Sequence, residues 1–505
     1  MRLNSGAVAL DDSNAPVAVA DGMPILIIGA GFAGLCTGIQ LKRAGISSFT
    51  ILERAADLGG TWRDNDYPGC ACDVEAHLYS FSFEPNPGWS RLFAERREIW
   101  QYLRRCADKH GIAPHIRFDS EVTRAEWSEA DGLWTVRTSS GAEHRARVLV
   151  SAMGALSNPA YPAIEGLDRF EGARFHSASW DHDCDLGGKR VAVIGTGASA
   201  IQFVPQIVPR AGRVDLYQRT PPWIVPKPDR RVTRFERFLF RRLPFTQRLL
   251  RTAIYWKLES RVLAFAVNPK LMKIAQRAAR HHMRRQVKDP ELRRKLTPDY
   301  TIGCKRILIS DDFYPAVSRP HVELVTDAIR EVRARSLVTA DGRERAADAM
   351  IFGTGFKVQE AVPRGTIIGR GGLDLVDAWK TGVEAYKGTA VAGFPNLFFI
   401  LGPNTGLGHS SMVYMIESQV TYVVDAVRQM LANGWRAVDV SVDAQAAYNR
   451  ALQARQVGAV WATGCKSWYL DERGRNTALW PGFTFRFRRE TRRFDRDRYR
   501  ISTTP

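Results

Sequence analysis

The sequence has no run of about 20 uninterrupted apolar residues, which a membrane-spanning helix requires. Residues 1–22 lack the basic start and long apolar stretch of a secretory signal, so we interpret them as a small polar tail and expect a cytoplasmic protein. Cysteine is also scarce. The seven cysteines are odd in number and scattered, and they form neither a recurring CxxC pair nor a CxxxxC motif. This excludes a disulfide framework, the usual zinc spacings and a flavin disulfide reductase, so we expect reduced thiols and no bound metal.

The remaining composition is that of an ordinary globular protein. Of the 505 residues, 45% are hydrophobic and 25% are charged, which excludes a disordered, collagen-like or coiled-coil chain. The chain is longer than a single hydrophobic core usually supports. Two or three domains are therefore expected, enough for a large enzyme.

Most of the net charge of +19 lies in one segment. Between Arg230 and Tyr300 there are 20 Lys and Arg against 5 Asp and Glu, a balance of 20 − 5 = +15. Aromatic and aliphatic residues alternate with these charges, which predicts amphipathic helices with a basic face. A solvated helical insertion is the favoured interpretation, and peripheral contact with an anionic membrane is the alternative. Nucleic acid is disfavoured as a partner because no nucleic-acid-binding motif accompanies the charge.

A first dinucleotide-binding turn follows the apolar run 24–28. The turn reads GxGxxG with Gly29, Gly31 and Gly34, and a helical stretch follows it. The first glycine permits the tight turn, the second lets a pyrophosphate approach the backbone, and the third lets the helix pack on the strand. The next strand, 49–52, ends in Glu53, whose carboxylate would accept ribose hydroxyls and repel a 2′-phosphate. This site therefore favours FAD or NAD.

A second turn of the same kind follows the run 189–194, whose last four residues are apolar. Its fingerprint residues are Gly195, Gly197, Ser199 and Ala200. In the first unit, Glu53 lies 24 residues after the first glycine (53 − 29). In the second unit, Arg219 stands at the same offset (219 − 195). A guanidinium there pairs with a phosphate, so this site favours NADPH, and Thr220 adds a hydroxyl. Two such units predict an oxidoreductase that uses two dinucleotides.

Two long gapped patterns then identify a family. Residues 170–181 contain FxGxxxHxxxW(P/D) through Phe170, Gly172, His176, Trp180 and Asp181. Residues 59–73 contain GGxWxxxx(Y/F)PGxxxD. The chain resembles the type I Baeyer–Villiger monooxygenases, class B flavoprotein monooxygenases, over nearly its full length.

The resemblance implies an NADPH- and O2-dependent enzyme that converts ketones to esters or lactones through a C4a-peroxyflavin. In the run 300–306, Arg306 matches the active-site arginine, which stabilises negative charge without giving up its proton. Asp73 matches the carboxylate that orients this arginine. Lys305 would join Arg219 and Thr220 at the 2′-phosphate.

The resemblance also assigns further residues. The remaining cofactor-binding residues on the FAD side are Gly60, Thr61, Trp62, Tyr79 and Asn404, together with Asp73. Trp468 would lie in a mobile C-terminal loop that reaches NADP and the substrate, although residues 470–482 depart from the pattern of the cyclohexanone-type members. His176 would couple domain movements and is not expected to act as a base.

These inferences predict an α/β fold with two Rossmann-like domains and a helical insertion. The expected parts are a tail at 1–22, an FAD domain at 23–150 and 389–505, an NADP domain at 151–229 and 301–388, and the basic insertion at 230–300. A flavin monooxygenase that forms N- or S-oxides shares this plan and remains the alternative. The apolar insertion weakly favours a hydrophobic ketone, but the sequence does not name the ketone.

Overall fold

A computed structural model of the chain describes residues 23–154, 156–358, 362–462, 464–465 and 467–503. The predicted tail at 1–22 lies outside the described residues. Among the described residues, no helix is both long and apolar enough to cross a bilayer.

The first of two central sheets contains the first glycine turn. Its five strands are parallel and lie in the order Leu397–Phe399, Val148–Ser151, Ile25–Ile28, Phe49–Leu52 and Ile116–Arg117. All four residues of Ile25–Ile28 are buried, as expected for the centre of a parallel sheet covered on both faces. The chain leaves this strand through the glycine turn and enters helix Phe32–Arg43.

The second sheet repeats this arrangement around the second glycine turn. Its five parallel strands follow the order Val322–Val325, Arg213–Tyr217, Arg190–Ile194, Ala349–Phe352 and Ala173–His176. Strand Arg190–Ile194 leads through the turn into helix Ala200–Ile207. The prediction of an α/β fold with two Rossmann-like units is therefore confirmed.

A third sheet brings a later part of the chain back to the unit of the first glycine turn. The strands Val122–Ser128, Leu133–Thr138 and Glu143–Ala146 form an antiparallel meander, and Ile367–Ile368 joins it parallel to the first of them. The sequence analysis assigned residue 367 to the NADP domain and expected the chain to return to the FAD domain at residue 389. The apolar side chain of Ile367 is buried with Leu26 and Trp134 of the first unit, so the chain has returned well before Thr389.

The remaining elements complete the layers. Short sheets pair Ile224–Val225 with Leu308–Ile309, Ala437–Val440 with Tyr499–Ser502, and Ile329–Arg333 with Ser336–Thr339 and Glu344–Ala346. Other helices are Thr61–Asp64, Arg96–Lys109, Phe313–Val317, Leu375–Ala378, Met412–Asn433, Val442–Gln456 and Thr484–Glu490. Short 3₁₀ turns span Ala113–His115, Leu167–Arg169, Pro269–Leu271, Arg370–Gly372, Val460–Ala462 and Arg496–Arg498.

The basic segment is helical. It contains Arg234–Arg242, Pro244–Glu259, Met272–Gln286 and Pro290–Leu296, with a π-helical turn at Leu263–Val267. Thr233 and Glu236 form a reciprocal capping box that fixes the start of the first helix. The prediction of a helical insertion here is confirmed.

Candidate active site

In the first glycine turn, backbone packs closely against backbone, and a second pair of glycines lies opposite the turn. Gly29 has φ +101°, and a Cβ there would lie 2.8 Å from the carbonyl oxygen of Ala152. A Cβ on Gly34 would collide with the carbonyl oxygen of Gly29, so the helix could not pack on the strand. Gly60, with φ +51°, faces Gly31, and its Cβ would stand 3.3 Å from the Cα of Gly31. The backbones of Gly31 and Gly60 therefore approach each other closely.

Glu53 is tied to the same turn. The residue is buried, and its Oε2 accepts a hydrogen bond of 2.7 Å from the backbone N–H of Ala30. Its Oε1 forms an ion pair of 2.9 Å with Arg63. The predicted ribose-binding carboxylate therefore lies beside the glycine turn, with its orientation fixed by two contacts.

Three further predicted FAD-side residues lie close together. Thr61 and Trp62 begin the short helix Thr61–Asp64, directly after the facing glycines. The indole N–H of Trp62 donates to the hydroxyl of Tyr79 at 3.2 Å. Tyr79 in turn packs edge-on against Phe32, at the start of the turn's helix, with 5.2 Å between ring centroids.

The second glycine turn reproduces the geometry of the first. Gly195 has φ +104°, and a Cβ there would lie 2.5 Å from the carbonyl oxygen of Gly353. Gly197 also faces Gly353, with 3.7 Å for its Cβ. Ser199 and Ala200 begin the helix that follows.

The predicted 2′-phosphate residues lie at the edge of this second unit. Arg219 is exposed just after strand Arg213–Tyr217, and the carbonyl of Thr220 accepts from the hydroxyl of Thr196 inside the turn at 3.4 Å. Lys305 arrives from a distant part of the chain. Burial, and then the positive charge of Arg219, lower the pKa of Lys305, so the two cations lie close enough to interact.

Arg306 and Asp73 meet although 233 residues separate them. The guanidinium of Arg306 donates two hydrogen bonds to Oδ2 of Asp73, from Nε at 3.0 Å and from Nη2 at 2.5 Å. Both side chains are half-buried. The carboxylate of Asp73 raises the pKa of Arg306, so the arginine keeps its charge at any pH at which the protein is folded.

The two units make direct contact near this pair. Gln202, on helix Ala200–Ile207, accepts from the hydroxyl of Tyr67 at 2.9 Å and donates to the carbonyl of Ala71 at 3.0 Å. A Cβ on Gly69 would lie 2.7 Å from the carbonyl oxygen of Gln202. The segment that carries Asp73 is thus held against the helix of the second turn. Sequence reasoning missed Gln202, because the only signal for it is its position in the first turn of that helix.

Comparison with known proteins agrees with this geometry. Residues 26–235 match the family described as pyridine nucleotide-disulphide oxidoreductase. A Baeyer–Villiger monooxygenase of Pseudomonas aeruginosa is 54% identical over 95% of this chain and 92% of its own length. Among solved structures, an oxidized steroid monooxygenase bound to NADP matches with a TM-score of 0.85 and 30% identity over 95% of this chain and 100% of that chain. A complex of OTEMO with FAD and NADP matches with a TM-score of 0.84 and 26% identity over 96% and 100%.

The chain belongs to the Baeyer–Villiger monooxygenases. The predicted family and the prediction of an NADPH-dependent flavoprotein monooxygenase are confirmed.

Within this Baeyer–Villiger monooxygenase, the histidine of the pattern at residues 170–181 lies inside the protein. His176 ends strand Ala173–His176, is fully buried, and accepts a hydrogen bond of 3.0 Å from the backbone N–H of Ala178. Burial lowers its pKa to about 4. The imidazole is therefore neutral at pH 7, and its low pKa makes it a weaker base than an ordinary histidine.

The other residues of that pattern hold the strand in place. Phe170 is buried, and a Cβ on Gly172 would lie 2.5 Å from the carbonyl oxygen of Asp348. Trp180 packs on Phe203 of the second turn's helix with 5.3 Å between rings. Asp181 is exposed and accepts from two backbone N–H groups that follow it, at 3.0 and 3.2 Å.

The C-terminal segment places a neighbour of the predicted tryptophan at the site. Trp468 is 48% exposed and packs edge-on against Tyr469. Tyr469 is buried and interacts electrostatically with Arg306 and Asp73. Burial raises its pKa to about 12, so its hydroxyl holds its proton at pH 7. Sequence reasoning missed Tyr469, whose only signal was its position next to Trp468.

A disulfide joins the C-terminal segment that contains Trp468 to the segment that contains Arg306. This contradicts the expectation that all thiols are reduced. Cys304 and Cys465 are bonded, with Cα atoms 6.2 Å apart. They are separated by 161 residues, so no local spacing could reveal the pair. The other five cysteines are free, and burial raises the pKa of Cys36 and Cys72, which keeps those thiols protonated.

The side chain of Asn404 bonds to the backbone of residues 476–479. Its buried side-chain amide donates to the backbone carbonyls of Asn476 and Leu479, at 2.7 and 3.2 Å, and so anchors the C-terminal segment. The nearby His409 and Ser410 are also buried. Within the described part of the chain, His409 Nε2 and Ser410 Oγ have no hydrogen-bond partner. Ordered water or a ligand usually satisfies buried polar atoms of this kind.

Proposed function

We propose that this chain oxidises ketones to esters or lactones with NADPH and O2, and that FAD binds the first glycine turn while NADPH binds the second. The observation that carries the proposal is the Arg306–Asp73 pair. A Baeyer–Villiger reaction develops negative charge on oxygen, which a fixed cation stabilises. Arg306 supplies such a cation and no proton, because Asp73 raises its pKa.

The residues around the first turn fit FAD. The glycines of the first turn carry no side chain that would keep a pyrophosphate away from the backbone, and Glu53 lies beside the turn for a ribose. The related structures contain NADP, and in one case both FAD and NADP. Bound flavin, reduced by NADPH, supplies the oxygen-activating chemistry, which no side chain of the protein can provide.

The surroundings of Arg306 favour a hydrophobic ketone. The buried apolar cluster next to it contains Phe265, Ile302, Val460, Trp461 and Tyr469. Tyr469 is a poor proton donor at pH 7 because burial raises its pKa to about 12. The cluster excludes water from the side of Arg306 on which Tyr469 lies, and this strengthens the interaction of the guanidinium with a developing oxyanion.

The test is the stoichiometry of NADPH and O2 consumption by the purified yellow protein with cyclic, aryl and long-chain ketones. We expect ester or lactone in proportion to NADPH. N- or S-oxides without ester from any ketone would instead support the N- or S-oxygenating alternative.

Arg306→Ala is the matched variant. It should remain yellow and be reduced by NADPH, yet lose ester formation by about 100- to 1,000-fold, the usual cost of removing one oxyanion-stabilising group. Arg450→Ala, at an exposed arginine of helix Val442–Gln456, is the control and should behave as the wild type. Normal ester formation by Arg306→Ala would remove this residue from the mechanism.

A further inference from the structure

We propose that the outer face of the helical insertion docks on an anionic lipid bilayer. We define this outer face by Phe235, Phe238, Leu243, Phe245, Leu249 and Trp256 and by the arginines between them. The proposal concerns where the protein resides and stands independently of the reaction proposed above.

Exposed apolar side chains are concentrated in this part of the molecule. Within the described residues, 17 large apolar side chains are exposed, and ten of them fall between residues 235 and 274. Phe235 is 69% exposed, Leu249 63% and Trp256 55%. Scattered exposed apolar residues are normal, whereas a contiguous group of this kind marks an interaction site.

Helix Pro244–Glu259 has two apolar faces, and only one of them is covered. Ile254 and Leu258 point inward and are buried. Phe245, Leu249 and Trp256 are spaced at i, i+4 and i+11, so they share one side of the helix and face outward. The outer side is extended by Phe485 of helix Thr484–Glu490, whose ring lies 6.1 Å from that of Trp256.

The charge of the segment indicates which partner covers this face. Arg234, Arg241, Arg242 and Arg248 are exposed and form no salt bridge within the described residues. A second copy would bring one segment of +15 against another, and the like charges would repel. Nucleic acid would pair with the arginines but would leave the outward phenylalanines in water. An anionic bilayer satisfies both, because basic groups meet the headgroups while aromatic and aliphatic side chains enter the interface.

The exposed apolar residues of the insertion continue along the chain to the cluster beside the candidate active site. Leu263, at the start of the π-helical turn, is 45% exposed, and Phe265 two residues later is buried. Phe265 packs against Trp461 in the cluster that includes Tyr469.

The test is co-flotation of the full-length holoprotein with phosphatidylcholine vesicles that either contain or lack phosphatidylglycerol. We expect binding only with phosphatidylglycerol. The variant Phe245→Ser/Leu249→Ser/Trp256→Ser should weaken binding on the order of 100-fold, since three side chains lose an apolar contact. Val442→Ser/Val457→Ser is the matched control, because these residues are equally exposed on and beside a helix outside the insertion, and it should bind as the wild type.

The arginines are tested by a second variant, Arg241→Gln/Arg242→Gln/Arg248→Gln. Each basic residue near an anionic surface contributes about fivefold to binding, so the triple variant should bind about 100-fold less tightly. Raising NaCl from about 50 to about 500 mM should weaken wild-type binding because salt shortens the Debye length. An unchanged flavin spectrum in both variants would show that they fold.

Three results would overturn the proposal. These are equal binding to neutral and anionic vesicles, wild-type binding by both triple variants, and absence of binding to either vesicle. Concentration-dependent dimerisation that Phe245→Ser/Leu249→Ser/Trp256→Ser abolishes would instead assign the outer face to a second copy of the chain.

Discussion

Replacing Lys305 by methionine tests the second nucleotide site, because methionine keeps most of the length of the side chain and removes its charge. Lys305 is half-buried, its Nζ lies 4.8 Å from the ring centroid of Tyr300, and it interacts with Arg219. Two positive charges held together are unfavourable unless an anion joins them. A 2′-phosphate is the anion that this arrangement predicts.

The expected loss follows from the burial of the two cations. A hydrogen bond to a charged group contributes about 1.5–3 kcal/mol, which corresponds to about a 10- to 150-fold change in affinity. Lys305 is half-buried, so Lys305→Met should weaken NADPH binding within this range. Arg219 is exposed and its interaction is screened by solvent, so Arg219→Ala should cost about tenfold or less. NADH binding should change little in both variants.

The pH dependence provides an independent check. Burial and the charge of Arg219 lower the pKa of Lys305, so the free enzyme loses this proton at a lower pH than an ordinary lysine does. Only the protonated form binds phosphate well. The affinity for NADPH should therefore fall as the pH rises through this pKa, and the fall should be absent for NADH and for Lys305→Met. Dissociation constants from fluorescence titration between neutral and alkaline pH measure this, and equal losses for NADPH and NADH would refute the assignment.

Two further predictions concern the folded state. Cys304 and Cys465 close a loop of 161 residues, for which the chain-entropy model gives about 5 kcal/mol of stabilisation. Cys465→Ser should lower the free energy of unfolding by up to this amount. Reductant should destabilise the wild type and leave the variant unchanged. Seven titratable thiols in the unfolded, unreduced wild-type protein would contradict the disulfide. Burial lowers the pKa of His176 to about 4, below its ordinary 6.5, so the unfolded chain takes up the proton first. The free energy of unfolding should therefore fall by about 3 kcal/mol as the pH drops from 6.5 to 4. In His176→Gln, urea unfolding should lose this part of the pH dependence, and an unchanged slope would contradict the burial argument.

The parts of the fold that depend on local sequence could be predicted. Each glycine turn requires a buried strand before it, a helix after it and a positive φ at its first glycine, and the residues at Gly29 and Gly195 meet these local requirements. The equal offset to Glu53 and Arg219 follows from the same repeated unit. Arg306 and Asp73 were predicted as partners only because the resemblance implied it.

The parts that depend on contacts between distant segments could not be predicted from the residues alone. Gln202 bonds to Tyr67 across the two units, and nothing in the residues next to it signals this contact. The bond between Cys304 and Cys465 and the burial of Tyr469 have the same origin, since both require the C-terminal segment to return to the arginine segment. The early return of the chain at Ile367 was missed because a two-residue strand has no detectable period.

The helical insertion connects the surface to the site through one helix. On the inner side of helix Pro244–Glu259, Arg251 donates to the carbonyls of His77 and Ser80 at 2.8 and 3.1 Å, and Lys257 pairs with Glu75 at 2.7 Å. These partners directly follow Asp73, so the helix supports the segment that orients Arg306. The outer side of the same helix carries the proposed docking residues. A change in the position of this helix at a bilayer would therefore move the segment that carries Asp73. A change at helix Val442–Gln456, which makes none of these contacts, would not.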